Sequence, residues 1–143
     1  MVDVVEELEK VRRIFPTAPY VASAWVFGSI ARGRARPDSD LDVALLLGDP
    51  DADARTFRRE LFDLAARLED ASGRRVDLVV LGPRDPIVAH RVLSEGLLLY
   101  DAAPQRRVRF VADVLSRYFD WAPRYEAAAA KSLAVNRAWA KGA

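Results

Sequence analysis

The chain contains no cysteine, one histidine and one methionine. Without thiols there can be no disulfides and no thiolate zinc sites, so nothing argues for an oxidising compartment and the cytoplasm is the expected location. Long apolar runs are missing as well. No stretch approaches the roughly 18 residues of a spanning helix, and the opening segment MVDVVEELEKVRR is charged where a secretory signal would carry an apolar core. Neither export nor membrane insertion is expected. Charge of one sign is also lacking: a formal net charge of +1 over 143 residues provides no bulk attraction for nucleic acid, and no direct nucleic-acid partner is expected. What is left is the composition of a folded domain, 51% hydrophobic and 30% charged, with length for one compact core.

Apolar spacing then sets out the elements. Val4, Val5, Leu8, Val11 and Ile14 recur at helical intervals until Pro16 and Pro19 stop the pattern. The segment from Tyr20 to Phe27 is short, β-branched and aromatic, and reads as a strand closing at Gly28. A helical turn is expected over about Ser29 to Arg34, a polar loop through Pro37, and a second strand over LDVALLL. From Asp53, the positions Phe57, Leu61, Leu64, Ala65 and Leu68 form the apolar face of a helix with Gly73 as its C-terminal cap. Arg75 to Leu81 reads as a third strand, and Asp85-Pro86 opens a helix that should end at Gly96. LLLY is a brief fourth strand, and helices follow on either side of Pro123. The expected class is α+β.

Within this frame one stretch carries chemistry. Asp40 and Asp42 stand two apart at the start of an apolar strand, so they project to one side while Leu41 and Val43 project to the other. Two carboxylates side by side near a core repel each other and lose solvation, and a divalent cation is the natural remedy. Mg²⁺ takes a few carboxylates together with water and phosphate oxygens, and a third carboxylate suits such a site. Asp77, the acidic residue among the apolar ones of RRVDLVV, is the candidate. Upstream, Gly28 permits close backbone approach, and Ser29 offers a hydroxyl and an N–H at a helical start, a place suited to phosphate. Taken alone, Asp-x-Asp at a loop–strand junction is more often a solvated turn. Gly28-Ser29 at ten residues' distance and Asp77 in a second strand favour the metal reading.

Gly28-Ser29, ten residues and Asp40-Leu41-Asp42 resemble the GS-x10-DxD signature of the DNA polymerase β-like nucleotidyltransferase superfamily. Within it, GSIARG followed by SDLDVALLL is similar to the minimal nucleotidyltransferases (MNT), specifically the MntA antitoxins that pair with HEPN toxins. Asp77 falls where that family has its third metal carboxylate, and HRVLSEGLLLYD and RYFDWAPRY are similar to its downstream segments. The resemblance implies a palm of small mixed sheet flanked by helices over residues 1–103 and a helical extension over 104–143 that packs on it or on a partner. It also implies two Mg²⁺ ions held by Asp40, Asp42 and Asp77, with ATP as substrate, its phosphates at Gly28 and Ser29 and further contacts from Arg32 and Ser39. The implied reaction is transfer of AMP to a tyrosine of a cognate HEPN ribonuclease toxin, Asp77 aiding removal of the acceptor proton.

Rival readings stand beside it. Arg32, Arg34 and Arg36 also fit a solvated basic loop, and Asp38 and Ser39 fit a turn after Pro37. His90 is expected on the surface of a helix, and Trp25 in the core. Tyr118, Phe119 and Trp121 form an aromatic cluster suited either to burial against the sheet or to a partner. An aminoglycoside-type small-molecule nucleotidyltransferase shares the signature, but about 40 residues after the sheet leave little room for a drug-holding domain. A non-catalytic antitoxin that masks its toxin by stoichiometric binding is the third reading.

Overall fold

LDVALLL forms the spine of the fold. In the computed structural model, which describes residues 4–120 and 123–124, this segment is strand β2 (Leu41–Leu47), buried at every position but Asp42. A strand can be apolar on both faces only where both faces are covered. Residues alternate accordingly: Leu41, Val43 and Leu45 enter one core with Val11, Phe15, Leu64 and Leu68, whereas Ala44 and Leu46 enter a second with Trp25, Leu81, Val92, Phe110 and Val114. Each fully buried leucine contributes about 1.5–3 kcal/mol of transfer free energy.

The helices that provide this cover follow from the apolar spacing. Helix α1 (Val4–Arg12) ends before a short 3-10 turn, Phe15–Thr17, whose Pro16 cannot continue an α-helix. Strand β1 (Val21–Phe27) pairs antiparallel with β2, and a four-residue helix, α2 (Gly28–Ala31), follows it directly. Helix α3 (Arg58–Ser72) starts later than Asp53 because the Asp53 carboxylate accepts the N–H groups of Arg55 and Thr56 and closes a separate turn. It ends at Gly73, which takes the left-handed conformation (φ 70°). Strand β3 (Val76–Val80) runs parallel to β2, with α3 as the crossover that a parallel pair requires. Asp85 caps α4 (Pro86–Glu95) through the N–H of Val88, and β4 (Leu97–Asp101) returns antiparallel to β1.

The sheet order is β3-β2-β1-β4. Helices α1 and α3 pack on one face, while α4 and a last helix, α5 (residues 104–120), supply the second core through Ala89, Val92, Phe110 and Val114. This is the α+β fold expected, a small mixed sheet between helices. Among the described residues no helix is long and apolar enough to cross a membrane. Trp25 is buried as expected, and His90 is half covered because Tyr118 of α5 stacks on it, ring centroids 3.6 Å apart. Phe119 is 70% exposed, whereas Trp121 lies outside the described residues.

Candidate active site

Strand register brings the distant carboxylate to the site. In the parallel ladder Asp42 stands directly opposite Asp77, and in the antiparallel ladder it stands opposite Phe27, the residue before Gly28. Asp40 lies one residue before β2 and is exposed, as is Asp77 on the edge strand, while Asp42 is half-buried. Partial burial raises the Asp42 pKa above the ordinary carboxylate value. The charges of Asp77 and Asp40 push it further, and the Arg32 guanidinium partly offsets them. Both other carboxylates are therefore close enough to act on Asp42. Their side chains are not drawn into a chelating cluster: among the described residues no three Asp, Glu, His or Cys side chains are gathered to hold a metal ion. Three anions without a bond between them gain by keeping apart, so the backbone supplies the register and side-chain rotamers would have to supply closure.

Gly28 meets the same carboxylate from the other side. It has φ 75°, a conformation that side chains disfavour, and a Cβ there would overlap the Asp42 carboxylate. Two requirements thus fall on one position. The absence of a side chain lets the β1–α2 turn come right up to Asp42, and it places half-buried Ser29 beside the carboxylates' end of the sheet. Arg32 donates from Nε to the Gly28 carbonyl at 3.3 Å, which holds its cation over this turn. Ser39 takes part in a turn: its Oγ accepts the N–H of Arg36 at 2.7 Å, and its own N–H bonds the Arg36 carbonyl at 3.0 Å. The Arg36–Ser39 turn that precedes Asp40 is thereby closed on itself.

Residues 9–105 match the family model described as polymerase beta, nucleotidyltransferase. The chain belongs to the polymerase β nucleotidyltransferase family. Solved structures extend the likeness to most of this nucleotidyltransferase. A toxin–antitoxin with AMP-PNP is 22% identical with a TM-score of 0.67, over 88% of this chain and 98% of the other. A complex of a tri-AMPylated Shewanella oneidensis HEPN toxin with its MNT antitoxin is 22% identical with a TM-score of 0.64, over 92% and 99%. The MntA-HepT toxin–antitoxin is likewise 22% identical, with a TM-score of 0.62 over 89% and 97%. At that identity what is shared is the fold, that of the minimal nucleotidyltransferases. No curated protein sequence matches the chain.

The donor set suits a hard divalent cation. Only carboxylate oxygens are offered, and the Asp42 anion is disfavoured by burial and by its two acidic neighbours, so a cation placed among them would relieve what the fold imposes. One residue behind the site escaped the sequence. Arg74 is not singled out there, yet it is buried and bonded to the turn before Asp40. Nothing local marks it, because its partners lie 35 to 67 residues away. A cleft of about 690 Å³ lined by Gly48, Pro50, Arg106 and Arg109 lies at the opposite end of β2, remote from the carboxylates.

Proposed function

We propose that this nucleotidyltransferase transfers AMP from ATP to a tyrosine hydroxyl of a cognate HEPN ribonuclease toxin and so silences it. The observation that carries the reading is the in-register pair Asp42 and Asp77, with Asp40 just upstream and Gly28 closed against Asp42. The fold it shares with a toxin–antitoxin structure containing AMP-PNP and with the MNT partner of a tri-AMPylated HEPN toxin supports the choice of nucleotide and acceptor. ATP and a ribonuclease partner both belong to the cytoplasm, where we place the protein.

Asp40, Asp42 and Asp77 are the residues that would hold Mg²⁺, two ions in this reading; when bound, the metal neutralises the triphosphate and the departing pyrophosphate. The chain does the rest by positioning. A triphosphate lying on Gly28-Ser29 has its reacting phosphorus beside the carboxylates, because Gly28 leaves no side chain between turn and strand. Ser29 donates to phosphate oxygens, and Arg32 lends positive charge to the same turn. Asp77 stands on the exposed edge strand, open to an acceptor carried on another protein. There it accepts the proton of the tyrosine hydroxyl as the oxygen–phosphorus bond forms and the bond to pyrophosphate breaks.

An enzyme of this kind acts at sub-stoichiometric dose. With ATP and Mg²⁺, a small amount of the protein should abolish the ribonuclease activity of excess toxin and add about 329 Da per transferred AMP to it. The Asp40→Asn, Asp42→Asn double variant should do neither. Protection only at equimolar dose, equally by both proteins and with no mass added, would mean that the protein works by masking. Adenylylation of an aminoglycoside in place of the toxin would assign a small-molecule acceptor.

A further inference from the structure

Arg74 is the most buried charged residue described, 8% exposed, and the chemistry above makes no use of it. A guanidinium cannot be deprotonated to escape burial, so it persists inside a fold only where acceptors surround it. Three do. Its Nε bonds Glu7 Oε2 of α1 at 2.7 Å, and its Nη1 bonds the carbonyls of Arg36 at 2.6 Å and Ser39 at 3.0 Å. Those two carbonyls bracket the turn that Ser39 already closes through its Oγ and N–H. The next residue in the chain is Asp40.

The other side of Arg74 is equally informative. Its neighbour Arg75 accepts the Leu41 N–H through its carbonyl at 2.8 Å, the first bond of the β2–β3 ladder, and Asp77 follows two residues later. One side chain thus ties together the turn before Asp40, the strand start before Asp77, and α1.

We propose that Arg74 is a positioning residue: by gripping the Arg36 and Ser39 carbonyls it fixes Asp40 relative to Asp42 and Asp77. The proposal rests on the reading of those carboxylates as a divalent-cation site. It separates two properties that a purely structural arginine would leave coupled, the stability of the fold and the affinity of the site. Groups that orient ligands from behind commonly account for about 10-fold or more in metal affinity.

Arg74→Lys tests it, since lysine keeps the charge opposite Glu7 but lacks the fork that spans a carboxylate and two carbonyls. Arg107→Lys is the control, because Arg107 bonds Asp101 at 2.9 Å in an ion pair at the far end of the sheet. Mn²⁺ binding to the nucleotide-free protein, counted from the electron paramagnetic resonance of unbound ion, is measured beside amide exchange at Ser39 and the kinetics of AMP transfer. In Arg74→Lys, exchange at Ser39 should accelerate, Mn²⁺ affinity should fall about 10-fold or more, and kcat should fall while the KM for ATP stays within about twofold. Arg107→Lys should leave all of these as in the wild type.

Unchanged Mn²⁺ affinity in Arg74→Lys, or an equal loss in Arg107→Lys, overturns the proposal. If Arg74→Lys does not fold, Glu7→Ala removes the acceptor that anchors Nε and so loosens the fork on the two carbonyls; exchange at Ser39 should accelerate and Mn²⁺ affinity should fall, and unchanged affinity overturns the proposal. A wild type that binds Mn²⁺, loses it on Arg74→Lys and yet transfers no AMP would refute the proposed function and leave Arg74 in its role. A wild type that binds no Mn²⁺ refutes both.

Discussion

Asp42 and Asp101 are aspartates on strands of the same sheet, and their surroundings are opposite. Asp101, at the end of β4, accepts the buried Ser23 hydroxyl at 2.9 Å and the Arg107 guanidinium at 2.9 Å, so its charge is answered and its lone pairs are used. Asp42, at the other end of the sheet, faces Asp77 across the ladder with Asp40 close by, and the Arg32 guanidinium only partly offsets their effect on it. One end of the sheet is a satisfied polar knot. The other keeps a charge imbalance that folding alone does not relieve, and such imbalance is where chemistry tends to be housed. The same residue type is therefore paired at one end and, in the proposed function, is poised for a ligand at the other.

The sharpest way to break this contrast is Gly28→Ala. Its methyl would meet the Asp42 carboxylate at a backbone conformation unfavourable to alanine, so stability should fall by about 1–3 kcal/mol and AMP transfer should be lost. Urea titration with a transfer assay would check both. Should the variant be fully stable and active, the close packing of turn and carboxylate is not what builds this end.

The satisfied end makes the converse prediction. Arg107→Met leaves Asp101 with Ser23 alone and should cost about 1–2 kcal/mol, reduced because the pair is partly exposed, with AMP transfer within about twofold of the wild type. A large loss of activity at unchanged stability would show that the two ends are coupled.

The smallest effect is the most diagnostic in sign. Asp42 has a raised pKa when folded, so between the ordinary carboxylate value and that raised value the folded protein binds more protons than the unfolded chain. Without divalent metal, stability should therefore decline gently as pH rises through that window. Asp42→Asn should flatten this slope and, at neutral pH, be at least as stable as the wild type. Urea midpoints across the window would show it; a variant clearly less stable than wild type at neutral pH would place Asp42 with Asp101 among the stabilising aspartates.

Much of this was legible in the residues. Among the described residues the strands and helices follow the apolar spacing, with differences confined to ends: α3 begins at Arg58 because Asp53 spends its carboxylate on its own turn, and α1 stops short of Ile14 ahead of the Pro16 turn; the helix expected after Pro123 lies outside them. Gly28-Ser29 and Asp40-x-Asp42 are near neighbours in the chain, so their spacing alone announces them. Ser39 and Arg32 were harder to place from sequence, because a hydroxyl or guanidinium in a loop can serve the turn or a ligand equally well; in the fold both bond the backbone of their own turns.

By itself the sequence determined which segments are apolar on one face or two, where glycine interrupts them, and that two aspartates share a side of β2, since those properties depend on periods of two to four residues. Only the tertiary structure decided that Asp77 stands opposite Asp42 and not one residue along, that the Gly28 position is closed against that carboxylate, and that Arg74 reaches back to hold the turn before Asp40. A one-residue slip of β3 would turn Asp77 to the other face of the sheet. The register is chosen by the whole packed core, in which Val76 and Leu41 must both meet the helices α1 and α3, and no local stretch of chain carries that information.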